Sequence, residues 1–313
     1  MKDNLGIVFP GQGSQSVGML SVLADSHPIV REIFQEASDV LSIDLWYLTQ
    51  KGPESELNKT QNTQPAMLVS GMAVYRVWTH QGGPAPAAMA GHSLGEYTAL
   101  TAAGALSLAE AVKLVAARGR FMQQAVPAGV GAMAAILGLE DDQVRSVCEQ
   151  AAAGQVAQAV NFNSPGQVVI AGDLAAIERA VKLAGDAGAK RAMMLPVSVP
   201  SHCELMKPAA EQLEKVLAEL TIQMPSIEVI HNVDVSVSIT ADDIRQKLVQ
   251  QLYQPVRWVE TVQAMASQGI SNLVEAGPGK VLAGLNRRID RKMNSLSVAD
   301  PAGLEKALEA VNA

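Results

Sequence analysis

Short apolar runs alternate with longer stretches of helical periodicity along the first part of the chain. Residues 5–9 and 87–90 are uncharged runs of the length expected for strands buried on both faces. Each run is followed by a glycine-containing turn and then by helical spacing of apolar residues, and helices are predicted over residues 28–41, 65–81, 96–103 and 108–125. This order predicts an α/β fold with a mostly parallel sheet covered on both faces.

The middle of the chain has a different rhythm. The pattern predicts strands at 132–139, 158–162, 167–171 and 190–199, and helices at 141–153 and 174–187. The order βαββαβ, with a hairpin turn at 163–166, matches a ferredoxin-like unit. We therefore predict an inserted subdomain at 128–198, within a larger domain formed by 1–127 and 199–313.

The large domain resumes after the insert. Helices are predicted at 204–220, 241–252 and 259–268, and strands at 228–232 and 272–275. The last predicted helices carry four basic residues within 287–292 against one acid, Asp290. This patch is either a solvated helix face or a surface that docks an acidic partner.

Composition narrows the class of protein. The 313 residues are 48% hydrophobic and 18% charged, as in soluble globular enzymes, and the formal net charge of −7 argues against broad nucleic-acid binding. Cys148 and Cys203 are too few for a disulfide framework or a zinc cluster. Residues 1–4 lack the features of a signal peptide, and no uncharged apolar stretch reaches the ~18 residues of a membrane span. We expect a cytoplasmic protein.

Gly91-His92-Ser93-Leu94-Gly95 fits the Gly-x-Ser-x-Gly nucleophile elbow, in which a sharp strand-to-helix turn exposes the serine hydroxyl. A strand is predicted before the motif and a helix after it, as the elbow requires. The N–H group of Leu94, at the helix N-terminus, suits a developing oxyanion. The alternative is an ordinary glycine-rich turn with a capping serine.

A nucleophilic serine needs a base, and the chain has five histidines: His27, His80, His92, His202 and His231. His202 is the best candidate because it follows a strand end, where α/β active sites gather. The elbow turn should point the ring of His92 away from the hydroxyl, and His231 follows a buried strand as a core histidine would. A structural role for His202 remains the alternative.

Arg118 falls within the apolar face of its predicted helix, four residues after Leu114 and four before Met122, whereas Arg120 falls on the other side. A buried guanidinium needs an anionic partner, because an unpaired buried charge is very costly. The partner is either an internal Asp or Glu in a structural ion pair or the carboxylate of a substrate.

Other glycine-rich segments are weaker signals. Gly11-Gln12-Gly13 follows the first strand, and its N–H groups are placed to complete an oxyanion hole, but the segment is a poor dinucleotide fingerprint. The segment 277–280 lacks the spacing of a phosphate-binding P-loop, and no His-Glu-x-x-His metal motif is present.

Several modest motifs occur together and in order along essentially the whole chain: Phe9-Pro10-Gly11-Gln12-Gly13-Ser14-Gln15, Gly91-His92-Ser93-Leu94-Gly95-Glu96, Arg118-Gly119, Pro200-Ser201-His202, Gln251-Leu252-Tyr253 and Gly277-Pro278-Gly279. This ordered set closely resembles the malonyl-coenzyme A:acyl carrier protein transacylase family of bacterial fatty-acid synthesis.

The resemblance implies a hydrolase-like large domain with a ferredoxin-like insert, in agreement with the pattern. It implies that Ser93 attacks the malonyl thioester and that His202 takes its proton and later protonates the leaving thiolate. Malonyl-coenzyme A is then the donor, and acyl carrier protein, which carries its own phosphopantetheine, is the acceptor and partner. The family implies no bound cofactor and no metal.

The resemblance also assigns supporting roles. It implies that the N–H groups of Gln12 and Leu94 hold the oxyanion and that Arg118 pairs with the malonyl carboxylate. It implies that Gln251 accepts a hydrogen bond from His202 through its side-chain carbonyl. Ser201, before the histidine, is the residue often found in methylmalonyl-selective modular synthases, but stand-alone bacterial members also resemble this sequence, so malonyl is retained.

Two other functions use the same residues. A serine hydrolase needs an acid between the serine and the histidine in chain order, and Asp173 or Asp186 would have to serve. Both lie in the predicted insert, and a hydrolase of neutral esters has no use for Arg118. A non-catalytic protein that docks coenzyme A or carrier protein is the other alternative.

Overall fold

The computed structural model describes residues 2–127, 129–197 and 199–312. The predicted boundaries at residues 128 and 198 fall outside these ranges, as do the chain ends, residues 1 and 313. The division into 1–127, 128–198 and 199–313 therefore stays a prediction.

The strands of the described ranges are, in chain order, β1 (Lys2–Phe9), β2 (Pro86–Gly91), β3 (Gly131–Leu137), β4 (Ala157–Ser164), β5 (Gln167–Asp173), β6 (Arg191–Met194), β7 (Glu228–Ile230), β8 (Asn272–Ala276) and β9 (Asn294–Val298). The helices are α1 (Ser21–Ser26), α2 (Ile29–Leu41), α3 (Leu45–Lys51), α4 (Glu54–Leu57), α5 (Thr60–His80), α6 (Leu94–Ala102), α7 (Leu108–Ala125), α8 (Asp141–Ala152), α9 (Leu174–Asp186), α10 (Lys207–Glu219), α11 (Ala241–Gln251), α12 (Trp258–Ser267), α13 (Val281–Ile289) and α14 (Pro301–Asn312), with a 3₁₀ turn at Glu204–Met206 before α10.

The larger sheet has the order β7-β2-β1-β8-β9, and all its pairs are parallel. Alternate residues of β1 enter different cores: Ile7 and Phe9 pack into the cluster on one face, and Val8 packs into the cluster on the other. The predicted parallel sheet with both faces covered is confirmed. Its strand ends bring the loops after β1, β2 and β7 together.

The smaller sheet has the order β4-β5-β3-β6 and is antiparallel throughout. Together with α8 and α9 it forms the predicted βαββαβ unit, which is confirmed. The unit has a core of its own, in which Val144 and Cys148 of α8 and Ile177 of α9 pack against the strands.

The short helices α1, α3 and α4 were not predicted, and two strands also differ from the pattern-based prediction. The strand predicted at 190–199 ends at Met194, because Pro196 follows in a bend and supplies no donor for a ladder; Ser198 of that prediction lies outside the described residues. The edge strand β9 was not predicted, and Arg291 and Lys292 lie in the turn before it rather than in a helix.

The candidate docking patch is exposed at Arg287, Arg288, Arg291 and Lys292. Within the described ranges, no helix is both long enough and apolar enough to cross a membrane.

Candidate active site

Ser93 occupies the turn between β2 and α6 with a positive φ of 51° and ψ of −107°, a strained conformation for a non-glycine residue. The turn is possible only with glycine on both sides. A Cβ on Gly91 would lie 1.9 Å from the carbonyl carbon of Gly95, and a Cβ on Gly95 would lie 2.0 Å from the carbonyl oxygen of Phe9. The motif thus forms the sharp elbow that its spacing predicts.

The structure brings together Ser93, which follows β2, and His202, which follows β6. Ser93 Oγ lies 2.7 Å from His202 Nε2, within hydrogen-bond reach of a base. His202 also has a positive φ, 67°, and its backbone N–H donates to the Leu252 carbonyl oxygen at 3.0 Å. Strained backbone at both residues indicates that the surrounding structure holds this pair in place.

The contact between His202 and Gln251 differs from the prediction. His202 Nδ1 lies 2.7 Å from the backbone oxygen of Gln251, so the main-chain carbonyl, and not the side-chain carbonyl, accepts the ring N–H. The reason is that Gln251 ends α11, which leaves its backbone oxygen without the helical partner of an interior residue. A neutral acceptor at Nδ1 fixes the tautomer that leaves Nε2 free as a base.

The electrostatic environment keeps His202 neutral. Burial is the main cause, and the nearby Arg118 guanidinium adds to it; together they lower the pKa of His202 to about 3. The ring is only 3% exposed. His202 is therefore in its base form throughout the neutral range.

Asn232, in the loop after β7, braces the elbow from behind. Its Oδ1 accepts from the backbone N–H of Ser93 at 2.7 Å, and its Nδ2 donates to the carbonyl oxygen of Gly91 at 2.7 Å. The side chain thus bridges both sides of the strained turn and satisfies two backbone groups that no ladder can reach.

A buried polar network continues from this brace. Glu96, in the first turn of α6, is fully buried and accepts from the Asn232 backbone N–H at 2.9 Å and from His231 Nδ1 at 2.7 Å. It also accepts from Gln251 Nε2 at 2.8 Å, and the same nitrogen donates to the Ser93 carbonyl oxygen at 3.0 Å. These bonds connect the elbow to the end of α11.

Arg118 of α7 is 1% exposed, which confirms the burial predicted from its place in the apolar face of the helix. Its side chain faces Ser93. One of its terminal nitrogens lies 3.4 Å from Ser93 Oγ and donates to Gln251 Oε1 at 2.9 Å. The guanidinium lies over the Tyr97 ring at 5.1 Å. None of the ion pairs within the described ranges includes Arg118. The internal ion pair considered from the sequence is absent there.

Gln12 and Leu94 lie at the same cavity as Ser93. The first loop reaches the elbow because position 11 is glycine: a Cβ there would lie 2.4 Å from the His92 carbonyl oxygen. Leu94 begins α6, so its N–H is among the helix N-terminal donors that face outward. The arrangement suits an oxyanion between the loop after β1 and the start of α6.

The cavity beside Ser93 has a volume of about 360 Å³. Three of the residues that line it each have a buried polar atom that makes no hydrogen bond within the described ranges, namely Nε of Arg118, Oε1 of Gln64 and Oδ1 of Asn161. Buried unpaired groups are costly, so residues that carry them beside a cavity are candidates for contact with a ligand. A second cavity of about 530 Å³ also borders His202 but contains neither Ser93 nor Arg118.

The other candidates take different places. His92 Nε2 lies 2.8 Å from Asn163 Oδ1, which directs its ring to that residue, and burial lowers its pKa. His231 is a core histidine, bonded to Glu96 and, at 2.8 Å, to Ser238 Oγ. The carboxylate of Asp173 accepts from the Val156 backbone N–H, so this acid of the hydrolase alternative serves the small sheet.

Four residues of the site were not predicted: Glu96, Asn232, Gln64 and Asn161. One signal was present in the sequence, since Glu96 is an acid within the apolar run that follows the elbow. Asn232 follows a strand end, as His202 does, but a lone amide carries no distinguishing pattern. In the described part of the chain, no group of three His, Cys, Asp or Glu side chains forms a candidate metal site.

Comparison with known proteins gives a consistent result. The acyl transferase domain family matches residues 7–308. The malonyl CoA-acyl carrier protein transacylase of Escherichia coli strain K12 is 58% identical over 302 residues, which cover 96% of this chain and 98% of the relative. The solved malonyl CoA-acyl carrier protein transacylase of Coxiella burnetii has a TM-score of 0.98 at 50% identity, covering 100% of this chain and 99% of its own.

A third relative was solved with a partner. The structure of a type II PKS acyl-carrier protein in complex with its malonyl-transacylase matches with a TM-score of 0.97 at 53% identity, covering 98% of this chain and 99% of that one. The matches extend over nearly the full length and include both sheets. The chain belongs to the acyl transferase family.

Proposed function

We propose that this protein transfers a malonyl group from malonyl-coenzyme A to the phosphopantetheine thiol of acyl carrier protein, through a malonyl ester on Ser93. The observation that carries the proposal is the triangle of Ser93, His202 and Arg118. The nucleophile lies 2.7 Å from a neutral base and 3.4 Å from a cation that no carboxylate in the described residues neutralises. This geometry suits an acyl group that itself ends in a carboxylate.

In the first half-reaction, Ser93 Oγ attacks the thioester carbonyl carbon while His202 Nε2 takes the hydroxyl proton. The N–H groups of Gln12 and Leu94 stabilise the oxyanion. The carbon–sulfur bond then breaks, and the proton on His202 passes to the sulfur of departing coenzyme A. Arg118 holds the distal carboxylate, which fixes the carbonyl carbon against the hydroxyl.

The second half-reaction reverses the roles. The carrier's phosphopantetheine thiol attacks the ester carbonyl, and His202 removes the thiol proton. The carbon–oxygen bond of the ester breaks, and His202 returns the proton to Ser93 Oγ. These steps need no cofactor bound to the enzyme, and the phosphopantetheine arrives with the carrier. The route supplies extender units for fatty-acid synthesis, and we place it in the cytoplasm.

The names of the relatives support the substrate assignment, since the Escherichia coli relative is called a malonyl CoA-acyl carrier protein transacylase. The polar contacts of His202 also favour transfer over the hydrolase alternative. Its Nδ1 contacts the main-chain carbonyl of Gln251, and not Asp173 or Asp186, the two acids considered for a hydrolase triad.

Discharge of the acyl-enzyme tests the proposal. Enzyme loaded with malonyl-coenzyme A is separated from excess donor and divided between buffer, phosphopantetheinylated carrier protein and carrier protein without phosphopantetheine. We expect rapid loss of the malonyl group only with the phosphopantetheinylated carrier. Discharge at one rate in all three samples would indicate a hydrolase and contradict the proposal.

A further inference from the structure

The side-chain amide of Gln251 makes three hydrogen bonds that have no part in the proposed reaction steps. Its Nε2 donates twice, to the Ser93 carbonyl oxygen at 3.0 Å and to Glu96 Oε2 at 2.8 Å. Its Oε1 accepts from Arg118 at 2.9 Å. The amide therefore lies between a buried carboxylate and a buried guanidinium, with the nucleophile's own backbone as its third contact.

The orientation of this amide is determined by its partners. If the amide were rotated by half a turn, its oxygen would face the Glu96 carboxylate and the Ser93 carbonyl, which only accept. Its NH₂ group would face Arg118, which only donates. All three hydrogen bonds would become repulsive contacts, so an acceptor at the position of Glu96 fixes Gln251 Oε1 toward the arginine.

Glu96 is itself held firmly. It is 0% exposed, and it is bonded to His231 Nδ1 and to the Asn232 backbone N–H besides Gln251. Its partners come from the loop after β7 and from the end of α11, while Glu96 belongs to the first turn after the elbow. The carboxylate therefore transmits the position of the elbow to Gln251.

The neutrality of the amide matters for charge. An arginine buried this deeply ordinarily pairs with a carboxylate, which would cancel the charge that a substrate carboxylate needs. The Gln251 amide satisfies one donor of Arg118 without adding negative charge, and it separates the guanidinium from Glu96. Arg118 lines the cavity, and its Nε makes no hydrogen bond within the described ranges.

We infer that Glu96 is a positioning residue for acyl-group selection: through the Gln251 amide it holds Arg118 toward Ser93 while leaving the guanidinium charge for the carboxylate of the substrate. The inference rests on the proposed malonyl transfer and deepens it. It makes selectivity for a carboxylated acyl group depend on a residue that touches neither the substrate nor the guanidinium.

The test measures loading of Ser93 from malonyl-coenzyme A and from acetyl-coenzyme A, and reports the ratio of the two kcat/KM values. Glu96→Ala should lower the malonyl-to-acetyl ratio about tenfold or more, mainly through KM for malonyl-coenzyme A, because Gln251 loses the closer of the two acceptors that orient its NH₂ group. An equal loss for both donors would mean a merely structural role and would overturn the inference.

Glu96→Gln is the matched conservative variant. Its oxygen can still accept from Gln251 and Asn232 while its NH₂ group faces His231 Nδ1, which becomes an acceptor when the ring proton moves to Nε2 and is donated to Ser238. We expect this variant to recover most of the selectivity ratio. A ratio as low as that of Glu96→Ala would contradict the inference.

Gln251→Met is a second variant that tests the same inference if Glu96→Ala does not fold. It removes the amide but retains the backbone carbonyl that His202 needs, and it should lower the same ratio; an unchanged ratio would overturn the inference. In the double variant the two effects should not multiply, because both break one chain of contacts. Failure of wild-type loading from malonyl-coenzyme A would instead contradict the proposed function.

Discussion

The two sides of Ser93 are built in opposite ways. Behind the serine, Asn232, Glu96 and Gln251 form a buried network in which each side chain makes at least two hydrogen bonds. In front of it, on the cavity wall, Arg118, Gln64 and Asn161 each keep a buried polar atom without a partner. The rear side resists movement, whereas the front side has hydrogen-bonding capacity left to use on a ligand.

The backbone strain of the site therefore lies on the rear side, and the groups that remain free to bind a ligand lie on the front side. The satisfied network holds Ser93 at a positive φ that a free chain would leave. The front side keeps polar atoms for which the described residues supply no partner, and leaving such an atom unpaired is unfavourable. A ligand that supplies the missing partners recovers that cost, which makes the front side selective.

The largest effect should come from removing the base that joins the two sides. His202→Ala should lower the rate of acyl loading by at least about 10⁴-fold, because His202 is the one base within the described residues that is hydrogen-bonded to Ser93 Oγ. The measurement is stopped-flow or quenched loading from malonyl-coenzyme A. His80→Ala, at an exposed helix end, is the matched control and should leave the rate unchanged. A loss below about tenfold in His202→Ala would separate the histidine from the chemistry.

The second largest effect should come from adding a side-chain atom at the elbow, which should destabilise the rear side. Gly95→Ala would place a Cβ 2.0 Å from the Phe9 carbonyl oxygen, so β1 and α6 must separate, and we expect a loss of about 3 kcal/mol or more in the free energy of unfolding. Urea unfolding measures it. Gly185→Ala, also within a helix but with open space at its Cβ, should instead stabilise by about 0.5–1 kcal/mol. Equal stability of the two variants would show that the close approach is not maintained in solution.

The front side should be altered by Arg118→Met without loss of the fold. Loading from malonyl-coenzyme A should fall about 100-fold, while loading from acetyl-coenzyme A should fall much less, because only the malonyl group ends in a carboxylate. Arg120→Met, on the exposed side of the same helix, is the control and should leave both rates unchanged. The same loss for both donors in Arg118→Met would make the arginine structural.

The smallest effect is a shift in pH dependence. Wild-type loading should show no acidic limb above pH ~5, because burial and Arg118 lower the pKa of His202 to about 3 and the neutral base persists. Arg118→Met removes one of these causes, so the pKa rises and the acidic limb moves to higher pH. A wild-type limb near the ordinary histidine pKa of about 6.5 would show that the ring is solvated in the working enzyme.

The sequence patterns predicted the fold more completely than they predicted the residues behind Ser93. Runs such as residues 5–9 and the Gly-x-Ser-x-Gly elbow predicted strands and turns correctly, because apolar periodicity and steric need are local properties. The edge strand β9 was missed because Ser295 and Ser297 interrupt the apolar residues of a short strand.

The contacts of Gln251 show why the hydrogen bonds behind Ser93 could not be predicted from sequence patterns. Its place near His202 followed from the family resemblance, but which of its two carbonyls meets the ring depends on where α11 ends. Glu96 and Asn232 join residues more than 130 positions apart in the chain, and a single sequence records no such pairing.

Intact mass spectrometry after brief mixing with equal amounts of malonyl- and acetyl-coenzyme A measures both the nucleophile and the acyl selectivity of the site in one experiment. It is performed on the wild type, on Ser93→Ala and on Arg118→Met. We expect one adduct on the wild type, mainly malonyl, no adduct on Ser93→Ala, and a shift toward acetyl on Arg118→Met. A malonyl adduct that persists on Ser93→Ala, or a wild type that takes both acyl groups equally, would contradict this expectation.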